Sequence, residues 1–392
     1  MMVVEAGIFW ALRGKLAAGY ADFTSFYGAG LTVRQGHGRQ LYDPAEQWRT
    51  QQQFAKDVAI RQQPLPYLRL PFEALTFTPL TLFPYPVAYG VWFLINLGVA
   101  VGVALFLRRE QNLDAFPAWL AVLVTLAFVP IFLSLLQGQD SIFVLLFYSL
   151  AFAAMRRGAD FRAGCSLGLG MIKPHLVVPF VILALLRGKY RFTAGFLSVA
   201  GVLLLVSWGV AGSSALAHYP GYLWELEQHP ARGLVVASNN PNLRGLVEGF
   251  GSGLAPPSML AAVIALLSAA LLVWVIQRTQ EVRGTTVVDW IFCQFVIAAV
   301  LVSYHAFIYD LSVLLLPIFL LAAQPREKPS APLRWALIGP VVVLLCGPVF
   351  ALLWLKWNML CLLALVLLVW LFALDREIAQ RRRDLPAQVN LS

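Results

Sequence analysis

The feature that most constrains this chain is a series of uninterrupted apolar stretches, each about 20 residues long, separated by short basic clusters. A helix of that length crosses the hydrocarbon core of a bilayer and satisfies its own backbone hydrogen bonds there. The stretches are continuous rather than alternating, which argues against a β-barrel. Only 12% of the residues are charged and 59% are hydrophobic. A soluble domain carries about 25% charged residues. The chain therefore reads as an all-α polytopic membrane protein forming a single domain over 1–392.

Spans are expected at 86–107, 116–135, 139–155, 190–211, 256–277, 286–303, 306–323, 331–350 and 351–372. The stretch 162–186 is also apolar, but Lys173-Pro174 interrupts it. Proline lacks a backbone donor and disfavours helix in the residue before it, so 162–172 and 175–186 read as two half-helices. They form either a re-entrant hairpin or one kinked span. The total comes to about ten to twelve membrane helices.

One set of loops holds 17 of the 29 Lys and Arg residues, including Arg108-Arg109, Arg156-Arg157, Arg187 and Arg381-Arg382-Arg383. The positive-inside rule makes that side cytoplasmic, together with the tail 373–392. This distribution, rather than nucleic-acid binding, accounts for the net charge of +9. Two long segments then lie outside, 20–72 and 212–256. Within the first, Pro44 to Arg61 is polar with spaced Trp48, Phe54, Val58 and Ile60, which predicts an amphipathic helix on the membrane surface. Residues 1–20 carry Glu5, Arg13 and Lys15 and are short for a span, although an outer first loop calls for one before it. The expectation is a start further upstream or a degenerate first span. These residues also lack the pattern of a cleavable signal peptide. Cys165, Cys293, Cys346 and Cys361 have no ligand-like spacing and read as small buried residues.

Polar residues punctuate this apolar background in an ordered set. They are Asp22-Phe23 with Phe26-Tyr27, Ala29-Gly30, Gly36 and Leu41-Tyr42-Asp43; Gln137-Gly138-Gln139-Asp140; Ile172-Lys173-Pro174; Asn240-Pro241-Asn242-Leu243-Arg244-Gly245; and His305 with Tyr309-Asp310-Leu311. From the residues alone, Asp22 is equally a general base or a helix N-cap. Asp43, before Pro44, reads as a turn residue. Lys173 and Asp310 are costly in an apolar segment and are site candidates by default, with snorkelling or a structural ion pair as the alternatives. Arg244 is a phosphate ligand or a solvated loop cation, and His175 shares the uncertainty of Lys173. Gln139 and Asp140 are sugar ligands or a cap after Gly138. His305 is a substrate ligand or an interfacial side chain. Glu225 and Glu227 read as a solvated helix face.

Taken in order, the set resembles glycosyltransferase family 87, the polyprenol-phosphate-mannose-dependent α-mannosyltransferase group, over residues 20–312. Two departures stand out. Asp140 replaces the Asn of the family's Gly-Gln-Asn, and Asn240-Pro241-Asn242 replaces Asn-Gln-Ser. The resemblance implies the GT-C fold and transfer of a hexose, mannose by preference, from a polyprenyl-phosphate donor to a glycolipid or glycan hydroxyl. The reaction would run at the outer face of a plasma membrane, by inverting displacement. It implies Asp22 as base and Tyr27, Gln139, Asp140, Lys173, Arg244, His305 and Asp310 as substrate contacts. No cofactor or metal is expected beyond the lipid-phosphate donor. The partners are then donor, acceptor and membrane lipid, without nucleic acid. A transporter or lipid flippase is the alternative, for which the Lys173-Pro174 break speaks. The missing internal repeat and the asymmetric outer loops speak against it.

Overall fold

The computed structural model describes residues 2–58, 63–113, 116–228, 236–279, 285–323 and 331–384. Among these residues the regular structure is helical, with no β-strand. Among the described residues three helices are each long and apolar enough to cross a membrane, or up to five spans if two bent pairs are counted as one each.

The first helices are α1 (Met2–Ala17), α2 (Phe23–Arg34), α3 (Pro44–Gln51) and α4 (Pro71–Phe77). The helix that starts at Pro44 is shorter than the polar stretch expected to form it. Helix α3 ends at Gln51, and its buried face is polar: Glu46, Gln47, Thr50 and Gln51. Asp43 caps it by accepting from the Ala45 N–H at 2.9 Å, the turn role its sequence context predicts. Gln51 then grips the returning chain, donating to the Leu65 carbonyl at 2.8 Å and accepting from its N–H at 2.9 Å. A side chain that satisfies a distant peptide on both sides acts as a strut. Ile60 and Arg61 lie outside the described residues.

Helix α5 (Tyr85–Glu110) fits the expected first span, with Pro86 in its first turn and Arg108 and Arg109 in its last. The segment expected as one span at 116–135 is instead α6 (Ala118–Leu126) and α7 (Val129–Gln137), bent by 65°. Pro130 has no N–H for the Leu126 carbonyl, and Phe128 is extended. Helix α7 stops at Gly138, whose φ of 64° lies in the left-handed region. A Cβ there would press into Phe23, so glycine is needed for both backbone and packing. The chain turns directly into α8 (Ser141–Arg156).

The break at Lys173 falls where the sequence places it. Helix α9 (Asp160–Gly168) tightens into a 3₁₀ turn, Leu169–Ile172, and α10 (Pro174–Leu186) follows. Helix α9 packs on α11 (Tyr190–Gln228) through Gly164 and Gly195, where a Cβ on either would collide with the facing backbone. Helix α11 breaks at Gly212, φ 77°, which ends the expected 190–211 span; helical structure then continues to Gln228. Next come α12 (Leu243–Gly251), α13 (Pro257–Thr279) and α14 (Thr285–Val302). A 3₁₀ turn, Ile308–Leu314, leads into α15 (Leu315–Ala323).

The two spans expected at 331–350 and 351–372 are redrawn. Helix α16 (Ala331–Leu345) bends by 69° into 347–356, and α17 (Leu363–Asp384) is the final helix. It carries the first part of the expected tail, 373–384; residues 385–392 lie outside the described set. A ring cluster of Tyr148, Phe152, Phe180, Phe192 and Phe292 joins α8, α10, α11 and α14 into one core, with centroids 4.8 to 6.2 Å apart.

Candidate active site

Three places where the regular α-helix is interrupted deliver charged side chains to one point. The turn after Gly138 presents Gln139, Asp140 and Ser141. The α9–α10 break presents Lys173, and the 3₁₀ turn before α15 presents Tyr309 and Asp310. Lys173 is fully buried. Its Nζ donates to Asp310 Oδ1 at 2.5 Å, to Ser141 Oγ at 2.7 Å and to Gln139 Oε1 at 3.3 Å. Asp140 Oδ1 is 3.3 Å away, and the ammonium sits 4.5 Å from the Tyr309 ring centroid. Ser141 Oγ donates onward to Asp310 Oδ1 at 2.9 Å. Asp310 Oδ2 accepts from the Phe307 N–H at 2.9 Å, and His175 Nε2 is 3.7 Å from it. Lys173 does not snorkel. It is the centre of a buried ion cluster whose hydrogen bonds offset the desolvation of its charges.

Asp22 stands at the edge of this cluster and is partly exposed. Its side chain makes no helix-cap bond to α2. Gln139 Nε2 instead donates to Asp22 Oδ2 at 2.8 Å, and the Asp22 N–H donates to Gln137 Oε1 at 3.1 Å. Two cations fix which way the Gln139 amide points. Its Oε1 faces Lys173 and, at 3.4 Å, Arg69 Nη2, so its NH₂ must face Asp22. Arg69 Nη2 also lies 3.4 Å from Asp140 Oδ1. Arg69 and its neighbour Glu73 were not singled out in the sequence reading. The signal was present: two charged residues four apart within the otherwise apolar run 65–77.

A second cluster forms the rim. Arg244 is buried and donates through Nε to both Glu248 oxygens at 3.0 Å and through Nη2 to Glu227. Its guanidinium lies over the Tyr304 ring, 4.3 Å from the centroid. His305 Nε2 is 3.5 Å from Glu227 Oε2, and its Nδ1 is 3.5 Å from Arg244 Nη1. Burial first, then the nearby Arg244 and His175, push the His305 pKa down to about 3, so the ring is neutral near pH 7. The reading of Glu227 as a solvated face is corrected: it clamps Arg244. Glu225 is exposed and lines a cleft of about 170 Å³ with Gln47 and Tyr222. Asn240 and Asn242 brace the rim. Asn242 caps α12 at Gly245 and donates to the Ser303 carbonyl at 2.7 Å; Asn240 Oδ1 accepts from Ala306 N–H at 3.4 Å.

Tyr27 stands apart from both clusters. Its hydroxyl donates to the Phe83 carbonyl at 2.8 Å and its ring packs on Phe54 and Tyr85. Among the described residues no three His, Cys, Asp or Glu side chains are grouped to hold a metal ion.

The sequence model of glycosyltransferase family 87 matches residues 70–304, more than half of the chain. The chain belongs to glycosyltransferase family 87. Neither a curated protein nor a solved structure matches it. Apolar helices and family together make it a membrane glycosyltransferase. In this family-87 enzyme the matched region carries Gly138, the Lys173 break and the Asn240–Arg244 loop. The Asp22 loop lies before it and Asp310 just after.

Proposed function

We propose that this glycosyltransferase moves a hexose, mannose by preference, from a polyprenyl-phosphate donor to a hydroxyl of a glycolipid or glycan at the outer face of a plasma membrane. It would do so within a GT-C fold of about ten to twelve membrane helices, with the tail cytoplasmic. The observation that carries the reading is the contrast among acidic groups. Asp140 and Asp310 are buried against Lys173 and Arg69, whereas Asp22 is partly exposed and oriented by Gln139. A carboxylate so held can take the proton of an acceptor hydroxyl as it attacks the anomeric carbon. The bond from that carbon to the phosphate oxygen breaks as the new one forms, and one such base suffices for inversion.

The leaving phosphate needs donors. Lys173 is enclosed and acts through Gln139, so the rim is the better supported place. Neutral His305 offers an N–H, and Arg244 exchanges the Glu227 carboxylate for phosphate oxygens. Glu227, once released, swings toward solvent, to which it is already partly open.

The test is sugar transfer in lipid nanodiscs from radiolabelled polyprenyl-phosphate mannose to a mixed glycolipid extract, wild type against Asp22→Asn. Transfer by the wild type alone supports the reading. Equal transfer by both removes Asp22 as base. No transfer and no donor binding by the wild type moves the transporter reading ahead.

A further inference from the structure

Glu73 lies on α4, outside the expected membrane spans, with 2% of its surface exposed. Neither carboxyl oxygen accepts a hydrogen bond from any N–H or O–H donor among the described residues, and Asp140 Oδ2 is orphaned in the same way. The nearest cation, Arg69, keeps its Nε 3.9 Å from Glu73 Oε2, beyond hydrogen-bond reach. Glu73 and Asp140 meet at that one guanidinium, whose Nη2 is 3.4 Å from Asp140 Oδ1, and a hydrogen bond between the two carboxyls would supply the missing partner. Two ionised carboxylates cannot make that bond, because neither has a hydrogen to give. The local charges lead to the same conclusion. Three acids, Glu73, Asp140 and Asp310, face two cations, Arg69 and Lys173. His175 stands by the far oxygen of Asp310, and the other ionisable groups around Glu73 are Tyr42, Tyr67 and Tyr219, which add no positive charge. One proton on Glu73, shared with Asp140, balances the set and satisfies Asp140 Oδ2 and one of the two Glu73 oxygens.

We infer that Glu73 is a standing carboxylic acid whose O–H donates a hydrogen bond to Asp140, which leaves Arg69 on Gln139. Burial, and then the Asp140 charge, raise its pKa well above the carboxylate range, in agreement with that geometry. An ionised Glu73 would compete for Arg69 and draw it off Gln139 Oε1, and the amide that orients Asp22 would lose one of its two anchors. Glu73 is thus a positioning residue acting through Arg69 and Gln139. That consequence for turnover rests on Asp22 being the base; the protonation does not.

The experiment is infrared spectroscopy of the purified full chain in nanodiscs at pH 7.5, in H₂O and D₂O, alongside the transfer assay. The wild type should carry a protonated-carboxyl carbonyl band that shifts in D₂O and is lost in Glu73→Gln. It should also be lost in Asp140→Asn, where the new amide donates to Glu73 and the charge count balances with Glu73 ionised. A wild type without the band, or Glu73→Gln with it, overturns the protonation. In transfer, Glu73→Gln keeps a neutral donor and should stay near wild type. Glu73→Ala, with folding checked by thermal unfolding, should lose about ten- to a hundredfold in kcat, because Asp140 Oδ2 is left without a donor and Arg69 is no longer held on Gln139. Wild-type kcat in a folded Glu73→Ala overturns the positioning role. If Asp22→Asn transfers normally while the band persists, the base assignment fails and the protonated Glu73 stands.

Discussion

At Lys173 the cation is fully enclosed, and its partners come from two other breaks in the helices. At Arg244 the guanidinium sits at a rim, and one of its carboxylates, Glu248, lies one turn along the same helix. Both cations are neutralised by two acids. The difference is in what an incoming ligand can replace. Lys173 can exchange nothing without opening the core. At the rim, Glu227 is 26% exposed and can swing to solvent as an anion arrives. A buried ion cluster of this kind holds geometry, and a half-open one does the exchanging. Asp22, at the boundary between them, belongs to the reactive side although Gln139 anchors it to the rigid one.

That division can be broken by experiment. The largest effect is expected from Asp22→Asn: turnover should fall by about 10²–10⁴, the range for a lost general base, with thermal unfolding unchanged. A matching drop in unfolding temperature would make Asp22 part of the scaffold. Lys173→Met should do the reverse and lower stability by about 3–5 kcal/mol, because Asp140 and Asp310 are left as buried anions. Thermal unfolding in detergent reads this, and an unchanged midpoint would contradict the rigid role. Arg244→Lys comes third. A lysine cannot fork between two carboxylates and a phosphate, so donor KM should rise about tenfold, or about 1.4 kcal/mol, with kcat less affected. The smallest effect concerns His305. Its folded-state pKa is depressed from 6.5 to about 3. Below pH 6.5 the unfolded chain binds a proton that the folded chain refuses. Stability from the neutral ring is therefore fully present above pH 6.5 and lost as pH falls towards 3. His305→Gln should flatten that acid limb of the unfolding temperature; an identical slope would place the ring in solvent.

Much of the fold was legible because lipid-crossing segments announce themselves as continuous apolar runs, and α5, α8, α13 and α14 fall where the runs do. The Lys173 break was legible because proline marks it. The 65° bend before Pro130 was hidden inside an apolar run that has the length of one span. So was the last boundary: helical structure runs on to Lys356, and Asn358, at φ 51°, lies between it and α17. Of the site, the polar residues were visible one by one because each is expensive in an apolar setting. Their convergence was not, since Asp22, Gln139, Lys173 and Asp310 are joined only by tertiary packing. Arg69 and Glu73 escaped notice in a Pro-rich stretch that reads as a connector. Tyr27 shares the motif of Asp22, and its hydroxyl bonds to the Phe83 carbonyl, away from both clusters.

The bond between Lys173 and Asp310 spans 137 residues of chain. At a synthesis rate of about 5–20 residues per second, Asp310 leaves the ribosome roughly 7–30 s after Lys173. For that interval the lysine has already entered an apolar segment without its closest counter-ion. Asp140, made earlier and 3.3 Å from the ammonium in the finished fold, is the anion on hand. The same carboxylate that later shares Lys173 with Asp310 is thus already made when Lys173 is, and can pair with it first.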